Sequence, residues 1–439
     1  MPLQWITSIP ISILSAVIGA VLVLVFFADY FRRRRAEIVT IVSATPHVEA
    51  KSTHPKSHKL QHKKIHQKSH SHAPDKDHAK KHHHLDLNTL KGHNDIVTGL
   101  SFSPDGCNLA TACGDGVVRV FKLDNASSKS FKSLKINLPA GAIPSVLTFS
   151  DGASSLVVAG QKFYGSTLYM YGNVAKPADH DIKQGKSSLP EIIWEQEKVH
   201  DMKAIQTLVG VSSTYGSADG STIIASCSEG TDIKLWHGKT GKNLGVVDTN
   251  QLKNTMAALS PNARFLAAAA FTADVKVWEI VYSKDGSVKE VSKAMQLKGH
   301  KSAVTWLCFS PNSEQIITSS KDGSIRIWNI NVRYHLDEDP KTLKVFPIPF
   351  LDANGSALHY DRISISPDGK FLAATHGSTL QWLCAETGMI LDTADKSHED
   401  DITSIAWTPQ KIPMGSGVSM VLATAGADKK VKLWMAPDL

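Results

Sequence analysis

Histidine, aspartate and tryptophan recur in this chain at a regular spacing, and these residue types can do chemistry. His300 is followed by Asp322 and Trp328, and His398 is followed by Asp428 and Trp434. A histidine beside a carboxylate is what general acid–base catalysis and many metal sites require. The same residue types also form buried hydrogen-bonded networks that only support a fold. The elements that carry these residues decide between the two interpretations.

The three residue types belong to a repeated sequence motif. Leu297-Lys298-Gly299-His300 precedes Asp322 and Trp328, and Leu90-Lys91-Gly92-His93 precedes Asp115 and Phe121. In both copies 29 residues separate the glycine from the closing aromatic residue. Weaker copies end at four further aromatic residues, Tyr171, Trp236, Trp278 and Trp382. The pattern resembles the WD40 repeat, so we predict an all-β, seven-bladed WD40 β-propeller over residues 85–439.

Strand patterns and turn residues set the expected blade layout. In the fifth unit, apolar alternation broken by Pro, Gly, Asn and Asp predicts strands at 304–309, 315–320 and 324–329. The third unit has no clear copy of this strand-and-turn pattern. In that unit Glu229 stands near the position where an Asp is expected. The units exceed the usual repeat length, which predicts an insertion at 173–198. Too few residues follow Trp434 for a fourth strand, so residues 85–90 are expected to close the ring.

We therefore interpret the recurring residues as a structural network. The resemblance implies that the His of a repeat bonds the Asp and a strand hydroxyl, while the indole N–H completes the network. A partly buried Asp needs such partners. The residues assigned to this network are His93, Asp115, His300, Asp322, Trp328, His398, Asp428 and Trp434. Phe121 stands where the first unit expects Trp and cannot donate the indole hydrogen bond.

Residues 1–31 are predicted to be a transmembrane signal anchor. The 18 residues from Ile11 to Ala28 carry no charge, and as a helix they are long enough to cross a bilayer core. The run is followed by four arginines, Arg32, Arg33, Arg34 and Arg35. No Lys or Arg precedes it, so the positive-inside rule places the rest of the chain in the cytosol. A secretory signal peptide has the opposite charge order.

Residues 32–84 are predicted to form a basic, disordered tether. Between residues 30 and 92 the chain has 14 Lys or Arg against five Asp or Glu, whereas residues 93–439 carry a net charge of −1. Lys, His and Ser dominate the segment without apolar periodicity. Such a composition buries too little apolar surface to offset chain entropy. The basic character of the protein therefore lies in front of the propeller.

Five histidines of the tether recur at intervals of four, namely His54, His58, His62, His66 and His70. On a helix they would share one face, where neighbouring imidazoles can chelate Zn²⁺. Three interpretations stay open: a solvated spacer, a basic strip for anionic lipid, RNA or the ribosome, and weak metal binding. His82-His83-His84 with Asp86 is a further metal candidate, but a junction between tether and strand is poorly preorganised. No metal site is assigned.

No motif supports an enzyme. The sequence contains no G-x-x-x-x-G-K-[ST], no G-x-G-x-x-G that opens a helix, no G-x-S-x-G and no H-E-x-x-H. We therefore expect a chain without catalytic activity and without a cofactor, on a fold that is used mainly for binding.

Two segments of the fourth unit indicate a more specific family. Asp248-Thr249-Asn250-Gln251 and Asp274-Val275-Lys276-Val277-Trp278, together with the anchor, resemble membrane-anchored WD40 proteins of the endoplasmic reticulum. The resemblance implies a single-pass scaffold with its propeller in the cytosol, connected with stress signalling or translation control. We expect a cytosolic or membrane protein to bind the top face of the propeller. The alternatives are a nucleotide-exchange factor for a small GTPase in vesicle budding, and an RNA- or ribosome-tethering protein that acts through the tether.

Overall fold

Short apolar strands separated by turn residues build seven antiparallel sheets of four strands each. The computed structural model describes residues 82–174, 189–212, 220–283, 287–350, 358–415 and 417–438, all within the unit Ala79–Leu439. The predicted anchor at 1–31 and the tether up to residue 81 lie outside the described residues. Within the described ranges no helix is long and apolar enough to cross a membrane.

Each sheet is one blade of a propeller. The strand that precedes blade one is β1 (Asp86–Leu90). Blade one comprises β2 (Val97–Phe102), β3 (Asn108–Cys113), β4 (Val117–Lys122) and β5 (Ser133–Asn137). Blade two comprises β6 (Ile143–Ser150), β7 (Ser155–Lys162), β8 (Gly165–Gly172) and β9 (Glu191–Gln196). Blade three comprises β10 (Ile205–Ser212), β11 (Thr222–Ser228), β12 (Asp232–His237) and β13 (Asn243–Asp248).

The remaining blades follow the same order. Blade four comprises β14 (Asn254–Leu259), β15 (Phe265–Ala270), β16 (Val275–Tyr282) and β17 (Val288–Leu297). Blade five comprises β18 (Val304–Phe309), β19 (Gln315–Ser320), β20 (Ser324–Asn329) and, after a 3₁₀ turn at Tyr334–Leu336, β21 (Lys341–Pro347). Blade six comprises β22 (Arg362–Ile365), β23 (Phe371–His376), β24 (Thr379–Cys384) and β25 (Ile390–Ala394). The last blade contains β26 (Ile402–Trp407), the small hairpin β27 (Ile412–Met414) and β28 (Gly417–Ser419), then β29 (Val421–Gly426) and β30 (Val431–Met435).

The ring closes by pairing the beginning of the propeller with its end. The seventh sheet has the order β1-β30-β29-β26, and β1 runs antiparallel to β30 with Leu90 opposite Val431. The first strands of successive blades pack side by side around the ring, and β2 also packs against β26. Strand pairing thus joins the two ends of the ring, at the place that the strand count predicts.

The core lies between the blades. The second strand of each blade is covered by neighbours on both faces, so it is almost wholly apolar or small, as in β15, where all six residues are buried. The interface between blades five and six shows the packing: Ile317 and Ile327 of one blade pack with Ile363 and Leu372 of the next. Burial of such side chains contributes about 1.5–3 kcal/mol each.

The structure confirms some predicted elements and corrects others. The three strands predicted in the fifth unit have the predicted bounds. The insertion predicted at 173–198 is too long, because β9 lies within it and pairs with β8, placing Trp194 opposite Met170. The extra residues are therefore confined to 173–190, between the third and fourth strands of blade two. The hairpin of β27 and β28 is a second extension, inserted before β29.

The connections define two faces. The top face consists of the turns between the second and third strands of each blade and of the connections that lead from one blade to the next. The other connections form the bottom face. The recurring histidines lie in the blade-to-blade connections and the aspartates lie at the top-face turns.

Candidate interaction surface on the top face

The repeated His, Asp and Trp residues meet in blades five and seven. In blade five, His300 Nδ1 lies 2.9 Å from Asp322 Oδ2 and its Nε2 lies 2.7 Å from the hydroxyl of Thr318. The indole N–H of Trp328 donates to the same hydroxyl at 2.9 Å. In blade seven His398, Asp428, Thr424 and Trp434 repeat this geometry with distances of 2.9, 2.7 and 2.9 Å.

Burial and hydrogen bonding set the charge states of this network. Burial lowers the pKa of His300, so its imidazole is neutral and donates from Nδ1 to the carboxylate. Burial alone would raise the pKa of Asp322, but hydrogen bonds from Ser324, the Lys301 N–H and His300 lower it below its usual range. The side chains of His300 and Asp322 are almost fully buried. They hold the top-face loop onto the blade and are not available to a ligand.

Blade three has a complete network that the sequence prediction missed. His200 Nδ1 lies 2.5 Å from Asp232 Oδ2, and its Nε2 lies 2.9 Å from the hydroxyl of Ser226. The indole N–H of Trp236 donates to Ser226 at 2.9 Å. The sequence expected an Asp near Glu229, and the structure shows that this Asp is Asp232, while Glu229 is partly exposed and pairs with Lys253. The His-to-Asp pairing across the blade, not the spacing, identifies Asp232.

Blade one departs from the pattern. His93 Nε2 bonds the hydroxyl of Thr111 at 2.9 Å, but Asp115 forms a two-pronged ion pair with Arg119 at 2.6 and 3.1 Å instead of bonding His93. His93 Nδ1 is buried without a hydrogen-bond partner among the described residues. Burial, followed by the nearby charge of Arg119, lowers the pKa of His93 to about 4. Since Phe121 has no N–H, Thr111 also lacks the indole donor.

Blade six uses a different buried contact. The hydroxyl of Tyr360 donates to Gln381 Oε1 at 2.6 Å, whereas the indole nitrogen of the fully buried Trp382 has no partner in the described part of the chain. The network is therefore complete in blades three, five and seven, and partial in blade one.

A cavity of about 560 Å³ opens at the centre of the top face. Its walls include Trp306 and Arg362, whose guanidinium carbon lies 5.3 Å from the Trp306 ring centroid. Across the mouth, Lys321 Nζ lies 5.9 Å from the ring centroid of Phe271, which is itself half exposed. Arginine and aromatic side chains are the residues most often found at the energetic centre of protein interfaces.

The mouth of this cavity carries charges of both signs. Arg362 Nη1 donates to the Ile402 carbonyl at 2.8 Å, and its Nε is buried without a partner within the described ranges. Burial lowers the pKa of Arg362, and the charges of Asp361 and Asp401 oppose that effect. Burial also lowers the pKa of His359, another residue of the lining. A polar segment of a partner can thus find donors and acceptors beside apolar walls.

Apolar side chains protrude from top-face loops outside the cavity. Phe163, Tyr164, Met202 and Leu252 are between 71% and 85% exposed. Phe163 and Tyr164 occupy the two-residue turn of blade two, where Gly, Asn or Asp is usual, and their rings touch edge to face at 4.9 Å. Leu252 directly precedes Lys253, whose carbonyl accepts the N–H of Phe271. Exposed apolar side chains also occur away from this face, as at Val246 and Leu336, but the four most exposed on the top face all lie in its loops. Apolar side chains that protrude beside a cavity mark a candidate interaction surface, and the apolar turn was its signal in the sequence.

The junction of tether and propeller brings together residues that the sequence had grouped differently. His83 and His84 both approach Asp392 of blade six, while Asp86, the expected partner, contacts His82 and Lys432. The remaining predicted groups lie outside the described residues; these are Arg32, Arg33, Arg34, Arg35, His54, His58, His62, His66 and His70.

The architecture and the network define a class. Residues 86–122, 292–329 and 391–435 match the family described as WD domain, G-beta repeat. Each matched segment ends with the third strand of a blade, in blades one, five and seven. These three stretches are WD40 repeats, and the seven four-stranded sheets that contain them form a seven-bladed β-propeller. Propellers built from WD40 repeats are generally non-catalytic scaffolds.

Among individual proteins, the chain is similar to transducin beta-like protein 2. The human protein is 29% identical over 318 residues, which cover 72% of this chain and 66% of the relative. The mouse protein is 30% identical over 291 residues, which cover 66% of this chain and 61% of the relative. The match thus spans less than two thirds of either relative. Yeast (Saccharomyces cerevisiae) nucleoporin SEH1 is 22% identical over 359 residues, covering 79% of this chain and 94% of that protein.

Proposed function

We propose that the chain is a non-catalytic scaffold that binds a protein partner with its top face. The observation that carries this proposal is the combination of a central mouth with Trp306 and Arg362 and protruding apolar side chains on the surrounding loops. The mouth offers a guanidinium beside an aromatic ring, and such groups often bind the central residues of a protein partner. The His–Asp–hydroxyl networks hold the adjacent loops, so the surface is rigid before a partner arrives, which lowers the entropic cost of binding.

We further propose that this scaffold is a single-pass protein of the endoplasmic reticulum membrane with its propeller in the cytosol. The charge-free run at 11–28 and the four arginines after it support this location. The chain resembles membrane-anchored WD40 proteins of the endoplasmic reticulum, and this resemblance implies a role connected with stress signalling or translation control. The similarity to transducin beta-like protein 2 supports including that role in the proposal. A basic tether next to a membrane would add attraction for anionic lipid or RNA.

A pair of matched variants tests the top-face proposal. Phe163→Ser with Leu252→Ser removes two protruding side chains, and Val246→Ser with Leu336→Ser removes two exposed side chains away from the top face. Because all four are exposed, each variant should keep the melting temperature of the parent. Proximity labelling from the C-terminus in cells should lose a defined set of neighbours in the first variant only. Unchanged neighbours in a folded Phe163/Leu252 variant would contradict the proposal.

Membrane location and tether binding need separate measurements. Deletion of residues 1–31 should move the protein from the membrane pellet to the soluble fraction, and protease added to intact microsomes should digest the propeller of the full chain. A protected propeller would refute the proposed orientation. RNA or lipid binding through the tether should fall steeply between low and moderate salt, whereas apolar docking on the top face should change little.

A further inference from the structure

Two imidazoles and a carboxylate converge at the entry to the closing strand. His83 Nε2 lies 3.3 Å from Asp392 Oδ1, and His84 Nε2 lies 2.9 Å from Asp392 Oδ2. The three ligand atoms lie within 4.8 Å of one another. The two histidines directly precede β1, which belongs to blade seven, and Asp392 lies on β25 of blade six. The cluster therefore bridges two blades at the end of the ring that the tether enters.

We propose that His83, His84 and Asp392 bind a divalent transition-metal ion, with Zn²⁺ as the best match. Two imidazole nitrogens and one carboxylate oxygen are ligands that Zn²⁺ accepts, and a fourth position of its tetrahedron remains for water or another ligand. Mg²⁺ and Ca²⁺ prefer sites built from oxygen alone. The present hydrogen-bonded arrangement needs only a small expansion, because an ion enters between atoms that already converge.

Neighbouring groups hold the ligands in place. The Thr393 N–H donates to Asp392 Oδ1 at 2.7 Å, and Asp392 lies opposite Trp382 in the sheet. The ring of His83 stacks on Trp382 with centroids 5.9 Å apart, and it stacks on His84 with centroids 4.6 Å apart. The side chains of His83 and Asp392 are mostly buried, while that of His84 is 71% exposed. An ion can thus enter from the His84 side of a site whose other walls are supported.

Metal binding has one local consequence. The Leu85 N–H now donates to Nδ1 of His83 at 3.2 Å, so the neutral ring carries its proton on Nε2. A metal ion on Nε2 moves that proton to Nδ1, because a neutral imidazole keeps one N–H. The hydrogen bond from Leu85 then opens, and residues 83–85 adjust around the ion. The cost is confined to this turn and lowers the affinity without removing any ligand.

The proposed site is distinguishable from the histidines of the tether by its effect on stability. Eleven of the 20 histidines lie between residues 47 and 84, so the full chain offers many imidazoles to Zn²⁺. A site built from blades six and seven exists only in the folded propeller, and an ion bound there stabilises the fold by mass action. Ions held by sequence-local histidines bind the folded and unfolded chains alike. They leave the melting temperature unchanged.

The experiment measures the melting temperature of the full chain in detergent with Zn²⁺, Mg²⁺ or a chelator. At one hundred times its dissociation constant, Zn²⁺ should raise the melting temperature by about 3–4 °C, given the unfolding entropy of about 350 residues. Asp392→Asn should abolish this shift and lower the Zn²⁺ stoichiometry in calorimetry by one, while exposed Asp395→Asn should behave like the parent. His84→Ala provides a second loss variant, because its exposed side chain is not needed for folding.

Three results would overturn the proposal. The parent chain would show no Zn²⁺-dependent shift although the tether binds Zn²⁺, or Asp392→Asn and His84→Ala would both keep the full shift. A shift of equal size with Mg²⁺ would also overturn it, because that result would indicate a non-specific effect of divalent charge.

Discussion

Replacement of Thr318 by Val tests how the buried network supports a blade. The hydroxyl of Thr318 is fully buried, bonds His300 Nε2 at 2.7 Å and accepts the Trp328 N–H at 2.9 Å. Val has the same shape without the oxygen, so the change leaves two buried polar atoms without partners. Each costs about 1–3 kcal/mol, which predicts a total loss of about 4 kcal/mol.

Thr111 of blade one is the matched control. Its hydroxyl bonds His93 at 2.9 Å, but the aromatic residue at the Trp position is Phe121, which has no N–H to lose. Thr111→Val therefore leaves one buried polar atom without a partner and should cost about 2 kcal/mol. Thr424→Val in blade seven should match Thr318→Val, because its distances to the histidine and the indole are the same.

Thermal and denaturant unfolding monitored by tryptophan fluorescence measure these differences. With an unfolding entropy of about 0.7 kcal/mol per degree for some 350 residues, Thr318→Val should lower the melting temperature by about 6 °C and Thr111→Val by about 3 °C. Equal losses in the two variants would refute the reasoning, since the indole hydrogen bond would then contribute nothing.

Two further predictions concern charged groups. Because the pKa of His93 falls to about 4 in the folded protein, the unfolded chain binds the additional proton between pH 6.5 and 4, and stability decreases as the pH falls through that range. His93→Gln should flatten this decrease by up to about 3 kcal/mol in unfolding measurements from pH 7 to 4, and an unchanged profile would contradict the assignment. Asp232→Asn should cost about 2 kcal/mol by weakening the bond to His200. Glu229→Gln should cost about 0.5 kcal/mol or less, and the reverse order would reinstate Glu229 as the network residue.

The sequence predicted the blade layout and most of the framework because those signals are local. Period-2 alternation and Pro, Gly, Asn and Asp turns lie within a few residues of one another, so the strands of the fifth unit could be placed at their true bounds. The network of blade three was missed because this unit lacks the regular turn pattern of the other units and because its Asp232 lies three residues beyond Glu229, near which the Asp was expected, so that His200 and Asp232 are 32 residues apart. His300 and Asp322 are only 22 apart. An insertion changes spacing in the chain without changing distance in space.

By itself the sequence determined the class of fold, the number of blades and the strand that completes the ring, because repeats and strand periodicity are local patterns of residue types. Only the tertiary structure decided which residues share a site. The approach of His83 and His84 to Asp392 joins residues more than 300 positions apart, and the top-face cavity combines residues of several blades. Such contacts depend on how blades pack around a closed ring, and no local pattern of residue types encodes them.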